Sequence, residues 1–227
     1  MTKEEIKQAV ATRAAEFVTD GMTLGIGTGS TAKHLLYALS ARMKGGLRFT
    51  GVPTSEQTEQ LALELKIPII SLDEADEIQL AIDGADEVST QLDLIKGGGG
   101  AFLQEKMIAY AAARFIVIGD ESKLVDSLGR FPLPVEVVPY GMERIKKHIA
   151  ALGCNEIVLR YRNDKIYVTD HRHYVLDCHF GVIRNPVQLN AALKEIPGVV
   201  ETGLFLQMAD AALIGYSDGS VKTIEAP

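Results

Sequence analysis

The sequence predicts an α/β protein with two parts: a main domain built on a parallel, Rossmann-like sheet, and a smaller α+β domain of the ferredoxin-like type. Short apolar runs alternate with amphipathic runs over the first half of the chain, and two glycine-rich turns each join such a pair. This alternation is typical of parallel β–α–β units with helices on both faces of the sheet. After Pro134 strands outnumber helices, which favours a separate α+β unit.

The predicted main domain covers residues 1–130 and 206–227. Thr2 and Glu5 match a helical capping box, and the helix that they begin is expected to end at Asp20-Gly21. The tail of the chain is expected to return to the main sheet. The predicted strands span 22–27, 48–52, 68–72, 79–83, 92–95, 114–119, 211–216 and 221–224, and the next predicted helices span 30–43, 55–66 and 101–113.

The predicted small domain covers residues 131–205 and contains more strands than helices. The polar segment 161–165 has the composition of a hairpin turn. A split β–α–β arrangement accounts for this mixture of elements. The predicted strands span 135–138, 156–161, 165–169, 174–179 and 199–205, and the predicted helices span 141–152 and 186–195.

Bulk composition limits the class of protein. The 227 residues are 47% apolar and 23% charged, as in an ordinary globular protein, and their formal net charge is −7. Because nucleic-acid binding depends on basic surface, we expect no nucleic-acid partner. No apolar run reaches the roughly 18 residues of a membrane span, and no signal peptide is recognisable, so we expect no membrane partner and a cytoplasmic protein. Cys154 and Cys178 are expected to be free thiols.

The first glycine-rich turn spans Gly25–Thr31 and follows a predicted strand. A glycine turn between a strand and a helix lets backbone N–H groups and the positive helix end surround an anion. Ser30 replaces the third glycine of a dinucleotide fingerprint, and neither turn contains the Gly-Lys-Ser/Thr of a triphosphatase loop. The hydroxyl-rich sequence therefore favours a single phosphate group, and a tight turn without a ligand is the alternative.

The second glycine-rich turn comprises Lys96 and the glycines Gly97–Gly100. Consecutive glycines cost conformational entropy, and a ligand close to the backbone is one way to offset that cost. Between the two turns lies an acidic run, in which Asp83 is expected at a strand end and Glu87 in a solvated loop. These carboxylates could hold Mg²⁺, or they could belong to an ordinary loop.

Glu105 is the candidate general base. It lies in the first or second turn of the helix after the glycines, where the helix dipole favours an ionised carboxylate. The alternative is an ordinary helix residue. The histidines carry little signal: those at 171–179 are expected in a polar turn rather than in a metal site, and His34 has no evident partner.

Seven segments form a joint pattern along the chain. They are GIGTGSTA (25–32), PTSEQT (53–58), DGADE (83–87), KGGGGAFLQEK (96–106), ESKLVD (121–126), FPLPVEV (131–137) and VKTI (221–224). In this order they resemble the ribose-5-phosphate isomerase type A family, and the resemblance covers essentially the whole chain. One departure is Gly100, where many members of that family have alanine.

The resemblance implies interconversion of D-ribose 5-phosphate and D-ribulose 5-phosphate in the non-oxidative pentose phosphate pathway, with no metal or organic cofactor. It also implies a small-molecule sugar phosphate as partner and a homodimer or homotetramer. By motif position it implies catalytic roles for Glu105, Asp83, Asp86 and Lys96. The substrate-binding residues that follow from the same motifs are Lys7, Thr28, Gly29, Ser30, Thr31, Gly84, Ala85, Gly97, Gly98, Gly99 and Lys123.

Moving a carbonyl group between two neighbouring carbons requires either a metal-assisted hydride shift or proton transfer through an enediol. Because a carboxylate base is available and no convincing metal cluster is, the sequence favours proton transfer at Glu105. Three alternatives stay open: a non-catalytic sugar-phosphate sensor, an amino-sugar-phosphate isomerase or deaminase, and a Mg²⁺-dependent phosphotransferase. A sensor usually carries a DNA-binding segment, and none is visible. An amino-sugar-phosphate enzyme favours a histidine near the reacting centre, and the glycine and aspartate motifs contain none. A Mg²⁺-dependent phosphotransferase would lose its activity in a chelator.

Overall fold

The computed structural model describes residues 1–226. Within them the six α-helices are α1 (Lys3–Ala15), α2 (Ser30–Lys44), α3 (Glu56–Glu64), α4 (Phe102–Ala111), α5 (Met142–Ala151) and α6 (Pro186–Lys194). The predicted capping box is confirmed, since the Thr2 hydroxyl accepts from the Glu5 N–H and the Glu5 carboxylate accepts from the Thr2 N–H. No helix in the described part of the chain is long and apolar enough to cross a membrane.

Short strands form four sheets within residues 1–226. The strands are β1 (Met22–Ile26), β2 (Phe49–Pro53), β3 (Leu80–Gly84), β4 (Glu87–Ser89), β5 (Leu94–Ile95), β6 (Phe115–Asp120), β7 (Leu124–Val125), β8 (Leu133–Val137), β9 (Glu156–Leu159), β10 (Tyr161–Arg162), β11 (Lys165–Ile166), β12 (Tyr174–His179), β13 (Val199–Thr202), β14 (Leu204–Phe205), β15 (Ala211–Gly215) and β16 (Val221–Glu225).

The largest sheet has six strands in the order β16-β15-β6-β3-β1-β2. Neighbouring strands are parallel except for β15 and β16, which are antiparallel. The predicted parallel sheet is confirmed, and so is the return of the tail to it. Because the strands are parallel, their carboxyl ends lie along one edge, where the following loops can meet.

Both faces of this sheet are buried, as parallel sheets usually are. On β6, Ile116 and Ile118 pack in the same core as α1 and α2, while Phe115 and Val117 pack in the core that includes α4. The alternation follows from the side-chain period of two along a strand. Packing from both sides fixes the strand ends, and therefore the loops that begin there.

The region after Pro134 contains an antiparallel sheet in the order β13-β8-β12-β9, packed with α5 and α6 around a core of its own. This is a split β–α–β arrangement of the ferredoxin-like type, as predicted. Next to this sheet lies the hairpin β10–β11. Asn163 and Asp164 at its tip have φ angles of 51° and 59°, which fit a tight two-residue hairpin turn.

Several predicted elements are wrong in extent. The strands predicted at 92–95 and 165–169 cover only Leu94–Ile95 and Lys165–Ile166, and two larger errors concern the first helix and residues 68–72. The first helix ends at Ala15, and Phe17 and Val18 follow in tighter turns that keep their apolar side chains on the core side. Residues 68–72 form no strand: Ile69 makes only an isolated bridge, because Pro68 has no N–H for a ladder and Ser71 starts a 3₁₀ turn.

The fourth sheet, in the order β14-β5-β4-β7, is the part of the fold that the sequence did not predict. The predicted strand 199–205 divides at Gly203, so that β13 stays with β8 while β14 pairs with β5. The strands β4 and β7 are missing from the prediction, because elements of three and two residues show no recognisable periodicity.

Candidate active site

The candidate active site is a cavity of about 420 Å³ at the carboxyl ends of β1, β3 and β6. These strands are neighbours in the six-stranded sheet. The second glycine turn reaches the cavity from another direction, because it follows β5 in the fourth sheet. The expectation that both glycine turns end strands of one sheet is therefore wrong, although both turns do line one cavity.

All but one of the residues singled out from the sequence line this cavity. They are Lys7, Thr28, Gly29, Ser30, Thr31, Gly84, Ala85, Asp86, Lys96, Gly97, Gly98, Gly99, Glu105 and Lys123. Asp83 is the exception, since it lies outside the cavity wall and is only 3% exposed. Sequence reasoning missed Lys3, Asp120 and Ser122, which also line the cavity. In the sequence they lie close to Lys7 and Lys123, and this closeness was the signal that could have identified them.

A cluster of hydroxyl groups supports the first glycine turn. The Thr28 Oγ1 atom lies 2.7 Å from the hydroxyl oxygens of Thr54 and Ser55. It also lies 3.0 Å from the hydroxyl oxygen of Thr58, which donates to the Gly27 carbonyl at 3.0 Å. The Thr28 hydroxyl is thus bound by protein groups and fixes the turn. The backbone and the next two hydroxyl residues remain to face a ligand.

A buried cluster of two carboxyl groups and one lysine lies beside the cavity. The Lys96 Nζ atom is 3.0 Å from the Asp83 Oδ2 atom and 3.3 Å from the Glu105 Oε2 atom. It also donates to the Gly84 carbonyl. The other Asp83 oxygen accepts from the N–H groups of Thr28, at 3.1 Å, and Gly84, at 2.7 Å. These contacts place Lys96 between the two carboxyl groups.

Burial controls the protonation of this cluster. Together with the negative charge of Asp83, it raises the pKa of Glu105 to about 8. Burial also raises the pKa of Asp83, against the opposing effect of Lys96. For Lys96, burial alone would lower the pKa, but the two carboxylates outweigh it and the pKa is raised. The lysine therefore stays charged, and the protonation of each carboxyl group depends on the charge of the other.

The raised pKa of Glu105 overturns the expectation that the helix dipole keeps this carboxylate ionised. Glu105 does lie in the first turn of α4, as predicted. A helix dipole stabilises a charge by about 0.3 to 1 kcal/mol at exposed sites, whereas full burial can move a pKa by about 3 to 5 units. Since Glu105 is only 5% exposed, burial is the larger effect.

The other acids of the segment 83–87 have different environments. Asp86 lines the cavity, and its Oδ2 atom accepts from the Gly98 N–H at 2.7 Å. Glu87 is fully buried on β4, where its two oxygens accept from the N–H groups of Gly129, at 2.7 Å, and Phe131, at 2.6 Å. The expectation of a solvated loop for Glu87 is wrong, because these N–H groups take the place of water.

Three lysines line the cavity together with the glycine turns and Lys96: Lys3, Lys7 and Lys123. The Lys7 Nζ atom is 2.7 Å from Glu4, whose other carboxylate oxygen is 2.9 Å from His34. His34 thus has a partner, contrary to the expectation from sequence. With the N-terminus of α2, these lysines bring positive charge to the cavity although the chain has a net charge of −7.

The remaining candidate residues lie elsewhere. Among residues 1–226 there is no group of three or more His, Cys, Asp or Glu side chains that could hold a metal ion. His173 lies in the predicted polar segment and contacts the buried Glu136 at 3.0 Å. Cys154 and Cys178 are free thiols, as expected.

A cavity lined by lysines, next to a buried cluster of two carboxyl groups and one lysine, is typical of an enzyme that acts on a small phosphorylated molecule. Comparison with known proteins identifies the family within this class of enzyme. The family model for ribose 5-phosphate isomerase A (phosphoriboisomerase A) matches residues 50–219. Ribose-5-phosphate isomerase A of Rhodopseudomonas palustris strain TIE-1 is 51% identical over 231 residues, which cover 99% of each chain.

Solved structures agree with this match. A D-ribose-5-phosphate isomerase in complex with phospho-erythronic acid is 41% identical, with a TM-score of 0.95 over 99% of this chain and 100% of that one. Ribose 5-phosphate isomerase from Plasmodium falciparum is 37% identical, with a TM-score of 0.95 over 98% of both chains. The chain belongs to the ribose 5-phosphate isomerase A family, and it is an isomerase of ribose 5-phosphate.

Proposed function

We propose that the enzyme interconverts D-ribose 5-phosphate and D-ribulose 5-phosphate by proton transfer through an enediolate, with Glu105 as the base. The position and pKa of Glu105 carry this proposal. Its carboxyl group lines the cavity, and its pKa is raised to about 8. A base is most effective when its pKa lies near the working pH. Ionised Glu105 removes the C2 proton of the open-chain aldose and returns it to C1.

Negative charge develops on the C1 oxygen when the C2 proton leaves. The Lys96 ammonium group and backbone N–H groups of the glycine turn line the cavity and are the donors for this oxygen. Preorganised donors of this kind often supply the largest single contribution to catalysis. Asp86 moves the hydroxyl proton between the two oxygens and assists ring opening. Asp83, outside the cavity wall, keeps Lys96 charged and in place.

The phosphate group binds at the opposite end of the cavity, between the N-terminus of α2 and the side chains of Lys7 and Lys123. Binding energy at this end orients the reacting carbons at the other end. The related isomerase solved with phospho-erythronic acid binds a molecule that carries a phosphate and a carboxylate. The carboxylate resembles the planar, negatively charged enediolate.

Replacement of the base tests the proposal. Glu105→Gln keeps the size of the side chain but removes its ability to accept a proton, so kcat should fall about 10²- to 10⁴-fold with little change in KM. Glu64→Gln, on the exposed surface of α3, is the matched control and should keep full activity. Near-normal kcat in Glu105→Gln would overturn the proposal.

A chelator tests the second half of the mechanism, that proton transfer needs no metal. Aldose–ketose conversion of ribose 5-phosphate should proceed at the same rate in EDTA as without it. A loss of activity in EDTA that added Mg²⁺ restores would instead favour metal-assisted chemistry. Glu64→Gln treated in the same way controls for an effect of the chelator on stability.

We also propose the wider organisation of the enzyme. Residues 1–130 and 206–227 form the main domain, and 131–205 form the small domain, which is supported by the separate core around β8 and β12. The enzyme assembles as a homodimer or homotetramer, for which the exposed Met107 and Tyr110 on α4 offer apolar surface. It works in the cytoplasm, in keeping with its free thiols. Light scattering of the purified enzyme tests the assembly.

A further inference from the structure

The second glycine turn is contacted by Arg160, which directly follows β9 of the antiparallel sheet. The Arg160 Nη1 atom donates to the Gly97 carbonyl at 2.6 Å and lies 3.4 Å from the Gly98 carbonyl. The rest of its guanidinium group is paired with Asp177: Nε donates to Oδ2 at 2.9 Å, and Nη2 donates to Oδ1. The Arg160 side chain is 10% exposed and that of Asp177 is 18% exposed. A two-bond pair of this kind fixes the guanidinium plane.

The opposite side of the same peptide group faces the active site. The Gly97 carbonyl and the Gly98 N–H belong to one planar peptide, and the Gly98 N–H donates to Asp86 at 2.7 Å. A continuous series of hydrogen bonds therefore runs from Asp177 through Arg160 and this peptide to Asp86. Because hydrogen bonds in series polarise one another, a cation on the carbonyl strengthens the N–H as a donor.

The next peptide of the turn is oriented in the same way. The Gly98 carbonyl points to Arg160, so the Gly99 N–H points away from it. Within residues 1–226 this N–H makes no hydrogen bond, and Gly99 lines the cavity. The Gly99 N–H is thus available to an oxygen of the substrate.

Two further side chains hold the end of the turn. The Gly99 carbonyl accepts from Arg162 at 3.2 Å and from the Tyr167 hydroxyl at 3.3 Å. Gly100 has a φ angle of +90°, and a Cβ at this position would overlap the Tyr167 ring. The positive φ angle and the Tyr167 ring together account for the glycine at this position.

We propose that Arg160, fixed by Asp177, is a positioning residue for the isomerase reaction. It turns the carbonyl groups of Gly97 and Gly98 outward, so that the N–H groups of Gly98 and Gly99 point to Asp86 and to the substrate oxygens. This inference rests on the proposed function of the glycine turn as a donor to the developing negative charge. Arg160 itself touches no reacting atom.

Kinetics of Arg160 variants test this role. Arg160→Met should lower kcat about 10- to 100-fold, the range expected when groups around a reacting centre shift by about 1 Å, with KM nearly unchanged. Arg160→Lys, which keeps the charge but not the two-bond pair, should recover part of kcat. Arg144→Met, at an exposed position of α5, is the matched control and should behave as the wild type. A kcat of Arg160→Met equal to that of the control would overturn the inference.

A double-mutant cycle with Asp86 separates positioning from a general loss of structure. If Arg160 acts through the Gly98 N–H, Arg160→Met should cost much less kcat in an Asp86→Ala background, which has no acceptor for this N–H, than in the wild type. An equal loss in both backgrounds would overturn positioning through the Gly98 N–H, and a kcat of Arg160→Met equal to that of the control would overturn the route through the Gly99 N–H as well. Neither outcome changes the role of Glu105, which Glu105→Gln decides separately. If Arg160→Met does not fold, Arg160→Lys and Asp177→Asn replace it in the cycle, and the same two outcomes decide.

Discussion

The two glycine-rich turns of the candidate active site are alike in sequence but are stabilised in different ways. The first, Gly25–Thr31, follows β1 of the large sheet, and its supporting hydroxyl groups come from residues just after the neighbouring strand β2. The second, Lys96–Gly100, follows a two-residue strand, and its carbonyls are bound by residues about 63 positions further along the chain. The first turn is thus a product of local topology, whereas the second depends on long-range packing.

This difference in support goes together with a difference in chemistry. The first turn lies among lysines and the N-terminus of α2, where a phosphate group is favoured. The second turn begins with Lys96, which contacts the buried carboxyl groups of Asp83 and Glu105. We therefore expect changes at the first turn to act on substrate binding and changes at the second to act on the rate of the chemical step.

Within the two glycine-rich turns, the largest effect is expected at Lys96. Lys96→Met removes a donor to the developing negative charge, so kcat should fall about 10²- to 10³-fold while KM changes little. Thermal unfolding of the variant controls for loss of structure, since both neighbouring carboxyl groups can be protonated when the lysine is gone. A kcat within about threefold of the wild type would contradict a role of Lys96 in the chemical step.

A smaller effect of the opposite kind is expected at Lys123, beside the first turn. Lys123→Ala removes a charged contact to phosphate, which contributes about 1.5 to 3 kcal/mol. KM for ribose 5-phosphate should therefore rise about 10- to 100-fold. The matched control is Lys147→Ala, at an exposed position of α5. An unchanged KM for Lys123→Ala, or a loss confined to kcat, would contradict the division between the two turns.

The glycines of the two turns sharpen the comparison further. Gly29 and Gly100 both have positive φ angles, +116° and +90°, but a Cβ at Gly29 would meet nothing within 4 Å while one at Gly100 would overlap Tyr167. Gly100→Ala should therefore lower the free energy of unfolding by about 1 to 3 kcal/mol more than Gly29→Ala does. Urea unfolding of both variants measures this difference. In a Tyr167→Ala background the difference should disappear, and its persistence would refute the long-range support by Tyr167.

Local patterns predicted the parts of the site that depend on neighbouring residues. The strand–glycine–helix pattern around Gly25–Thr31 is visible in one stretch of sequence, and so is the position of Glu105 in the first turn of a helix. The order of apolar and amphipathic runs also predicts the six-stranded sheet and the antiparallel sheet β13-β8-β12-β9. These predictions succeed because topology alone brings the carboxyl ends of β1 and β3 together.

Contacts between residues that are distant along the chain could not be predicted from the sequence. No local signal distinguishes Arg160 from other arginines, since its partners Gly97 and Asp177 are fixed only by the fold. The buried state of Glu87 and the raised pKa of Glu105 were missed for the same reason, because burial depends on residues distant in sequence. The sequence predicts Glu105 as an ionised base, and the desolvation that raises its pKa is visible only in the structure.

The remaining prediction concerns the pH dependence of stability. The pKa of Glu105 is raised from 4.5 to about 8 in the folded state, so the folded protein binds the extra proton between these values. Stability from this group is fully present below pH 4.5 and is lost as the pH rises towards 8. Glu105→Gln lacks this loss, so its stability relative to the wild type should increase with pH, by at most about 1.4 kcal/mol per pH unit. Denaturant unfolding of both proteins across this range checks the sign; a difference independent of pH would contradict the raised pKa.

The proton transfer itself is tested most directly by running the reaction to equilibrium in D₂O over many turnovers and then locating deuterium in the sugar. Proton transfer through Glu105 predicts that solvent deuterium enters C1 of ribulose 5-phosphate and C2 of ribose 5-phosphate, because an acid lining an open cavity exchanges its proton with water. Complete retention of the original hydrogen after many turnovers would contradict it and would indicate a hydride shift.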